Sequence, residues 1–311
     1  MRVAAGGVCG TDLHIAHGTF PCRTPLVLGH ELAGIVAELG DGVVGVAVGD
    51  RVTTETDASF CGSCSYCRSW DMHLCPSRTA IGTSADGGFA EFVALPAGGV
   101  HRLPDRVDFA AGALTEPLAV AVRAVVERGQ VRPGHRVVVI GPGTVGLFAA
   151  QVALAQGADV TVAGLARHKG KFRLARELGV PSTAALDVAS ELESLISRGD
   201  GLGVDRVIEC SGSAEALDHG IRLLRKGGWL VQVAFFGAPR VPTDLDTLVN
   251  REITLVTSRG KRPACFRIAL DLVRRGQVRP GRLITHRYPL RDWEAALAAA
   301  DVPSSKVVLD M

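Results

Sequence analysis

The chain has 311 residues, 47% of them hydrophobic and 21% charged, with a net charge of +2. That length suggests about two domains, and so even a balance gives no electrostatic footprint for nucleic acid or a membrane surface. No apolar run of about eighteen residues is present, and the opening MRVAAGGVCG has no basic region leading into a long apolar core, so neither a spanning helix nor a secretory signal is expected.

Eight cysteines then read as metal ligands or reduced thiols, which places the chain in a reducing cytoplasm. Residues 1–14, MRVAAGGVCGTDLH, read as the end of a strand followed at once by a functional loop. Cys9 is a candidate zinc ligand. Thr11 and His14 follow it, and a hydroxyl and an imidazole there can carry a proton between a zinc site and solvent. Taken singly, a buried cysteine, a turn hydroxyl and a surface histidine are the plainer readings.

Residues 26–54 hold short apolar runs broken by Gly and Asp-Gly, which predicts the strands of a compact antiparallel barrel. Within them GHE supplies His30 as a second candidate ligand. Glu31 is either a direct ligand or the partner of one. Gly29 lets the backbone pass close by, and Asp50 and Arg51 of GDRV read as a structural turn.

FCGSCSYCRSWDMHLC carries Cys61, Cys64, Cys67 and Cys75 at steps of three, three and eight. A disulfide needs two Cα atoms roughly 4.4–6.8 Å apart with facing Cβ vectors, which thiols at this pitch do not readily offer. Inward thiolates on a tight loop suit a tetrahedral Zn²⁺ with Zn–S near ~2.3 Å and no position left for substrate. This is a structural staple. Thiolate, imidazole and carboxylate elsewhere make up the open type of zinc site. Cys22, Cys210 and Cys265 read as small buried apolar residues.

GGFAEFVALPAGGVHRLP alternates again and is expected to complete the barrel. FAAGALTEPLAVAVRAVVERG (109–129) changes to helical spacing, with Pro117 where one helix ends and the next begins. Glu116 falls at that break. A carboxylate in so apolar a stretch is costly to bury alone, and a zinc ion is one partner for it.

HRVVVIGPGTVGLFAAQVALAQGADVTVAG gives a buried strand (136–140), a glycine turn, a helix and a second strand. Gly141, Gly143 and Gly146, with Thr144 and Val145 between them, form the G-x-G-x-x-G of a dinucleotide cradle. The first glycine makes the turn, the second admits the pyrophosphate and the third packs helix on strand. β-α alternation continues through VDRVIECSG, AEALDHGIRLLRKGG and WLVQVAFFG. Where NAD-binding folds place an acid for the ribose, Gly164 stands, followed by Arg167, His168 and Lys169. With no carboxylate to repel a 2′-phosphate and Arg167 and Lys169 to hold it, NADP is expected over NAD. A solvated, helix-leading basic turn is the alternative.

Together CGTDLH, GHE, the four-cysteine loop, GDRV, EPLA, GPGTVG, ECSGS and LITHRYPL resemble the zinc-containing medium-chain dehydrogenases over essentially the whole chain. The nearest branch is that of polyol (sorbitol-like) and threonine dehydrogenases. The resemblance implies a GroES-like β-barrel catalytic domain (1–118, completed by 258–311) and a doubly wound α/β Rossmann domain (119–257). It implies two Zn²⁺ per chain, one catalytic and one structural. Cys9 and His30 match catalytic ligands, Glu116 the carboxylate of that branch, Glu31 the acid beside the histidine, and Thr11 and His14 the proton relay. The activity implied is hydride transfer between a secondary alcohol (polyol, amino alcohol or cyclitol-like) and a nicotinamide cofactor. A homodimer or homotetramer joined through Rossmann strands is implied as well. Only eight residues precede Cys9, fewer than the family has, so early barrel strands are expected to be missing. Two other readings keep the fold: a zinc-independent quinone reductase-like enzyme, and a non-catalytic cofactor-binding protein. Metal content separates them, with two zincs per chain for the dehydrogenase, one for the binding protein and none for the quinone reductase.

Overall fold

The computed structural model describes residues 1–198, 200–301 and 306–311. The chain forms two units, Met1–Ala119 with Lys261–Met311, and Val120–Gly260. The first begins with strands β1 (Arg2–Gly7), β2 (Glu31–Ile35), β3 (Arg51–Thr54), β4 (Asp57–Ser59), β5 (Thr79–Ala80) and β6 (Val100–Arg102). The second holds β7 (Arg136–Ile140), β8 (Asp159–Gly164), β9 (Ser182–Ala185), β10 (Val204–Glu209), β11 (Leu224–Gln232) and β12 (Thr254–Thr257). The chain then returns to the first unit with β13 (His286–Pro289) and β14 (Val307–Asp310).

In the first unit one sheet runs β13-β14-β1-β2-β3-β6, and β4 and β5 pair separately. β1 lies between β14 and β2, antiparallel to both, so the two ends of the chain are stitched side by side. Its pairing is not wholly antiparallel as expected, because β13 and β14 run parallel. Val3, Leu32, Ile81 and Val93 pack one part of the core, and Val8, Ala296, Val307 and Leu309 another.

Local differences from the sequence reading have physical reasons. The segment after β1 is a helix, Gly10–Ala16, not a loop. Asp12 supports it by accepting the Cys9 N–H at 2.8 Å, which satisfies one of the orphan donors at a helix start. In GGFAEFV only Phe92 bridges to Arg2. The backbone hydrogen bonds of this stretch are divided, with Gly87, Gly88 and Phe89 donating to the carbonyls of Val27, Gly29 and Leu28 while Glu91 and Val93 pair with Val3 and Met1, so no full strand forms. The helical break falls at Leu114, between Phe109–Ala113 and Thr115–Val122, not at Pro117. Proline sits in the first turn of the second helix, where its missing N–H costs no bond. The stretch Phe109–Arg128 is long and apolar enough to cross a membrane, contrary to the run-length reading, but 78% of its apolar window is buried in the fold, as in a core helix. Cys265 is fully buried, whereas Cys22 and Cys210 are partly exposed.

The second unit is a six-stranded sheet in the order β12-β11-β10-β7-β8-β9, parallel throughout. Strands covered on both faces need continuous apolar runs, and Val137, Val138, Val139 and Ile140 of β7 are all buried. The order reverses between β7 and β10, the topological switch point at which such sheets take ligands.

Candidate metal centres and cofactor cradle

The four cysteines of the loop converge as their spacing predicts. Gly62 turns the chain at φ +72, Cys64 opens the short helix Ser65–Arg68, and Cys75 follows the turn Met72–Leu74. The Sγ atoms of Cys64 and Cys67 are 3.5 Å apart, those of Cys61 and Cys75 3.6 Å, and those of Cys61 and Cys67 3.9 Å. A disulfide would need ~2.05 Å, while a tetrahedron with ~2.3 Å Zn–S bonds has edges of about 3.8 Å. The thiols differ in how readily they ionise. Backbone N–H groups of Ser63 and Cys64 lower Cys61 to about 6, while Cys67 is pushed up to about 12 by desolvation and its bonds to neighbouring thiols. Four thiolates at this separation are compatible only with a positive charge between them. The residues fit a closed zinc site.

The second cluster is assembled from separate segments. Cys9 follows β1, and His30 and Glu31 lead into β2. One donor atom from each lies within 4.8 Å of the others. Cys9 is half-buried; His30 and Glu31 are 8% and 1% exposed. Approach is close: a Cβ on Gly7 would lie 2.2 Å from Glu31 Oε2. His30 Nδ1 lies 3.5 Å from Asp12 Oδ1 and makes no hydrogen bond, and Glu31 Oε2 is equally without a partner. Burial disfavours the imidazolium, yet Asp12 and Cys9 outweigh it and hold His30 well above the usual range. Burial likewise pushes the Glu31 carboxyl up, against the pull of Lys306. An unpartnered buried Glu31 oxygen beside the Cys9 thiol and an imidazole whose Nδ1 faces Asp12 fits a zinc ion, which holds its ligands about 3.3–3.8 Å apart.

Glu116 stands outside that group of three. It is buried, near enough for its charge to act on Glu31, and is hydrogen-bonded to Lys261, which also donates to Thr56 Oγ1 at 2.9 Å. Burial opposes its ionisation, but Lys261 prevails and keeps the carboxyl below the usual range. Glu31 has its own lysine: Lys306 Nζ donates to Glu31 Oε1 at 2.6 Å and to the Val8 carbonyl at 2.7 Å. Sequence reasoning missed both lysines, and also Asp12. In sequence a lone Lys261 or Lys306 looks like any surface lysine, and Asp12 stands three residues after a cysteine instead of after a usual Ser, Thr, Asp or Asn cap.

Thr11 Oγ1 lies 3.8 Å from Cys9 Sγ. His14, one helical turn further, is exposed, with Nδ1 3.1 Å from Thr19 Oγ1.

In the second unit the GPGTVG turn joins β7 to the helix Thr144–Ala155, with Gly143 at its N-cap. A Cβ on Gly146 would fall 1.9 Å from the Gly141 carbonyl, whereas one on Gly143 would meet nothing within 4 Å. The third glycine is thus required by packing, and the second faces open space. Thr144 and Val145 form the first turn of that helix. At the end of β8 a Cβ on Gly164 would lie 2.7 Å from His168 Nδ1. Arg167 and Lys169 are exposed. Asp187, not singled out in the sequence, accepts the Ala166 N–H at 2.8 Å.

Known proteins agree with both units. The family model described as alcohol dehydrogenase GroES-like domain matches residues 1–105, and that described as zinc-binding dehydrogenase matches residues 144–275. The chain is 41% identical to a sorbitol dehydrogenase of Halalkalibacterium halodurans over 96% of its own length and 87% of the relative's. It is 37% identical to an L-threonine 3-dehydrogenase of Streptomyces avermitilis, over 100% and 91%. A zinc-binding dehydrogenase of Sinorhizobium meliloti, solved bound to NADP, superposes with a TM-score of 0.92 at 34% identity, covering 100% of this chain and 91% of that one. The chain belongs to the zinc-binding medium-chain dehydrogenases, in the polyol and threonine dehydrogenase branch. It is a nicotinamide-dependent alcohol oxidoreductase with a GroES-like and a Rossmann unit, acting on small-molecule alcohols.

Proposed function

We propose that the chain oxidises the secondary alcohol of a polyol, holds two Zn²⁺, and prefers NADP(H) to NAD(H). The observation that carries the catalytic site is the convergence of Cys9 with the buried His30 and Glu31, where Glu31 Oε2 is left without a partner. When bound, zinc supplies Lewis-acid polarisation of a substrate oxygen and the nicotinamide accepts the hydride. Cys9, His30 and Glu31 are the ligands, and Lys306 ties the Glu31 carboxylate to the Val8 carbonyl beside Cys9. Asp12 fixes the helix start that carries Cys9. Thr11, half-buried, and His14, exposed, stand in inside-to-outside order for release of the alcohol proton. Cys61, Cys64, Cys67 and Cys75 hold the structural ion.

Gly141, Gly143, Thr144, Val145 and Gly146 cradle the pyrophosphate. The NADP preference is supported by the tight space at Gly164, which leaves no room for a ribose-binding acid, and by the exposed Arg167 and Lys169. Charge-assisted hydrogen bonds contribute ~1.5–3 kcal/mol each, and exposure pushes the effect to the low end. The free thiols support a reducing cytoplasm. β12, an edge strand with Leu255 44% exposed, supports a homodimer or homotetramer joined there.

The test is kcat/KM for polyols, amino alcohols and cyclitols with both cofactors. A polyol is expected to be the best substrate, with NADP preferred by about tenfold and that preference reduced in Arg167→Ala. Equal use of NAD by the wild type rejects the cofactor reading, and a wild-type preference untouched by the substitution assigns the phosphate to another residue.

A further inference from the structure

We infer that Glu209 is a positioning residue for the cofactor, a carboxylate that sets the turn after β10 against the glycine turn after β7. The inference rests on the reading of GPGTVG as the dinucleotide cradle.

β7 and β10 are neighbours at the point where the strand order reverses, and ligands of such sheets bind at the carboxyl ends there. Glu209 is the last residue of β10 and is completely buried. An uncompensated carboxylate would be costly in that place and would repel an approaching pyrophosphate. Here it is fully covered. Glu209 accepts from Ser211 N at 2.6 Å, from the Ser211 hydroxyl, from Gly212 N at 3.0 Å and from Gln232 Nε2 at 2.6 Å.

All of these donors belong to the turn after β10 or to the last residue of β11. None comes from the apolar interior of the sheet. The Glu209 carbonyl accepts from Val233 N at 2.9 Å, and Gln232 Nε2 reaches on to the Ala234 carbonyl at 2.8 Å. The turns are also in tight contact. A Cβ on Gly141 would lie 2.8 Å from Ser211 N, and one on Gly212 would lie 2.2 Å from the Phe235 carbonyl. The turn after β10 and the end of β11 therefore meet around one side chain, and the turn after β7 packs on the backbone of the first of them. Gln232 Oε1 is buried there without a partner, an acceptor available to a bound donor.

The experiment titrates the zinc-loaded enzyme with NADPH and NADH by nicotinamide fluorescence, reading both the affinity and the number of sites. Glu209→Gln keeps the shape but sets an amide against the Gln232 amide. It is expected to bind one cofactor per chain about tenfold more weakly, with KM for the cofactor raised and kcat within about twofold. Ser211→Ala, which leaves the carboxylate in place and removes one donor, should shift affinity in the same direction by less. A purely stabilising Glu209 would instead give fewer sites at wild-type affinity, and that outcome, or wild-type affinity in both variants, overturns the proposal. Gly143→Ala separates the two readings, because its Cβ meets no protein atom and projects where the pyrophosphate must pass. Wild-type affinity in Gly143→Ala removes the cradle reading and this inference with it. Lost affinity there with unaltered Glu209 and Ser211 variants removes the inference about Glu209 alone.

Discussion

Cys61, Cys64, Cys67 and Cys75 come from one short loop, whereas Cys9, His30 and Glu31 come from the end of one strand and the start of another, and the lysine that holds Glu31 comes from just before β14. The first cluster makes its own geometry: turn, short helix and turn bring four like donors together, with Cys61 exposed to solvent. The second depends on the fold of the whole unit and sits among buried charges. A closed site can therefore stabilise a loop locally. An open one must keep donor atoms unsatisfied until a ligand arrives, and the surrounding fold supplies the stability that this costs.

The largest effect expected is at the open site. His30→Ala should lose that zinc and lower turnover on the order of a thousandfold or more, since Lewis-acid stabilisation supplies several kcal/mol at ~1.4 kcal/mol per decade. NADPH titration should be unchanged, and the loop should keep its metal. Wild-type turnover would remove His30 from the ligand set. Next comes Lys306→Met, which leaves the Glu31 carboxyl buried without its cation. Removing one partner of a buried pair costs about 3–5 kcal/mol, to be read as a lower urea midpoint. An unchanged midpoint would show that the pair adds nothing to stability.

Cys64→Ser attacks the closed site and should act in the opposite manner. One zinc per chain is lost, and the melting temperature falls, by about 2–4 °C for each kcal/mol lost in a chain of this kind. Turnover per folded molecule should stay within about twofold. Loss of both metals, or of neither, would erase the distinction between the two clusters.

That distinction also decides what could be read before the fold was known. The cysteine loop and GPGTVG are legible because their ligands are contiguous, so spacing along the chain is itself the geometry. The parallel sheet is legible for a similar reason, since buried strands read as apolar runs. Cys9 and His30 were visible as residue types, but the choice between Glu31 and Glu116 was not. It turns on Lys306 and Lys261, which lie 275 and 145 positions away in the chain. The helix at Gly10–Ala16 was hidden because its N-cap is a cysteine, with the capping carboxylate at Asp12 inside the first turn. The missing strand at GGFAEFV reflects hydrogen bonds divided between residues 27–29 and the first residues of the chain, which alternation alone does not reveal.

The smallest effect separates those two glutamates. Each is buried and each has a lysine, yet only Glu31 offers an unpartnered oxygen to the cluster, while Glu116 is bonded to Lys261 and held in its charged form. Glu31→Gln should therefore weaken open-site zinc more than Glu116→Gln does. The second substitution should cost about tenfold, within the ~10–100-fold found for groups around a ligand set. Competition with a chelator measures this on the intact enzyme, and cobalt substitution reports the ligand field through its absorption. Glu116→Gln also removes the negative charge facing Lys261, so Lys261→Met and the double variant are needed to close the cycle. If Glu116 acts through Lys261, the double variant should recover part of the affinity lost in Glu116→Gln. A cobalt spectrum altered by Glu116→Gln and untouched by Glu31→Gln would reverse the assignment and make Glu116 the ligand.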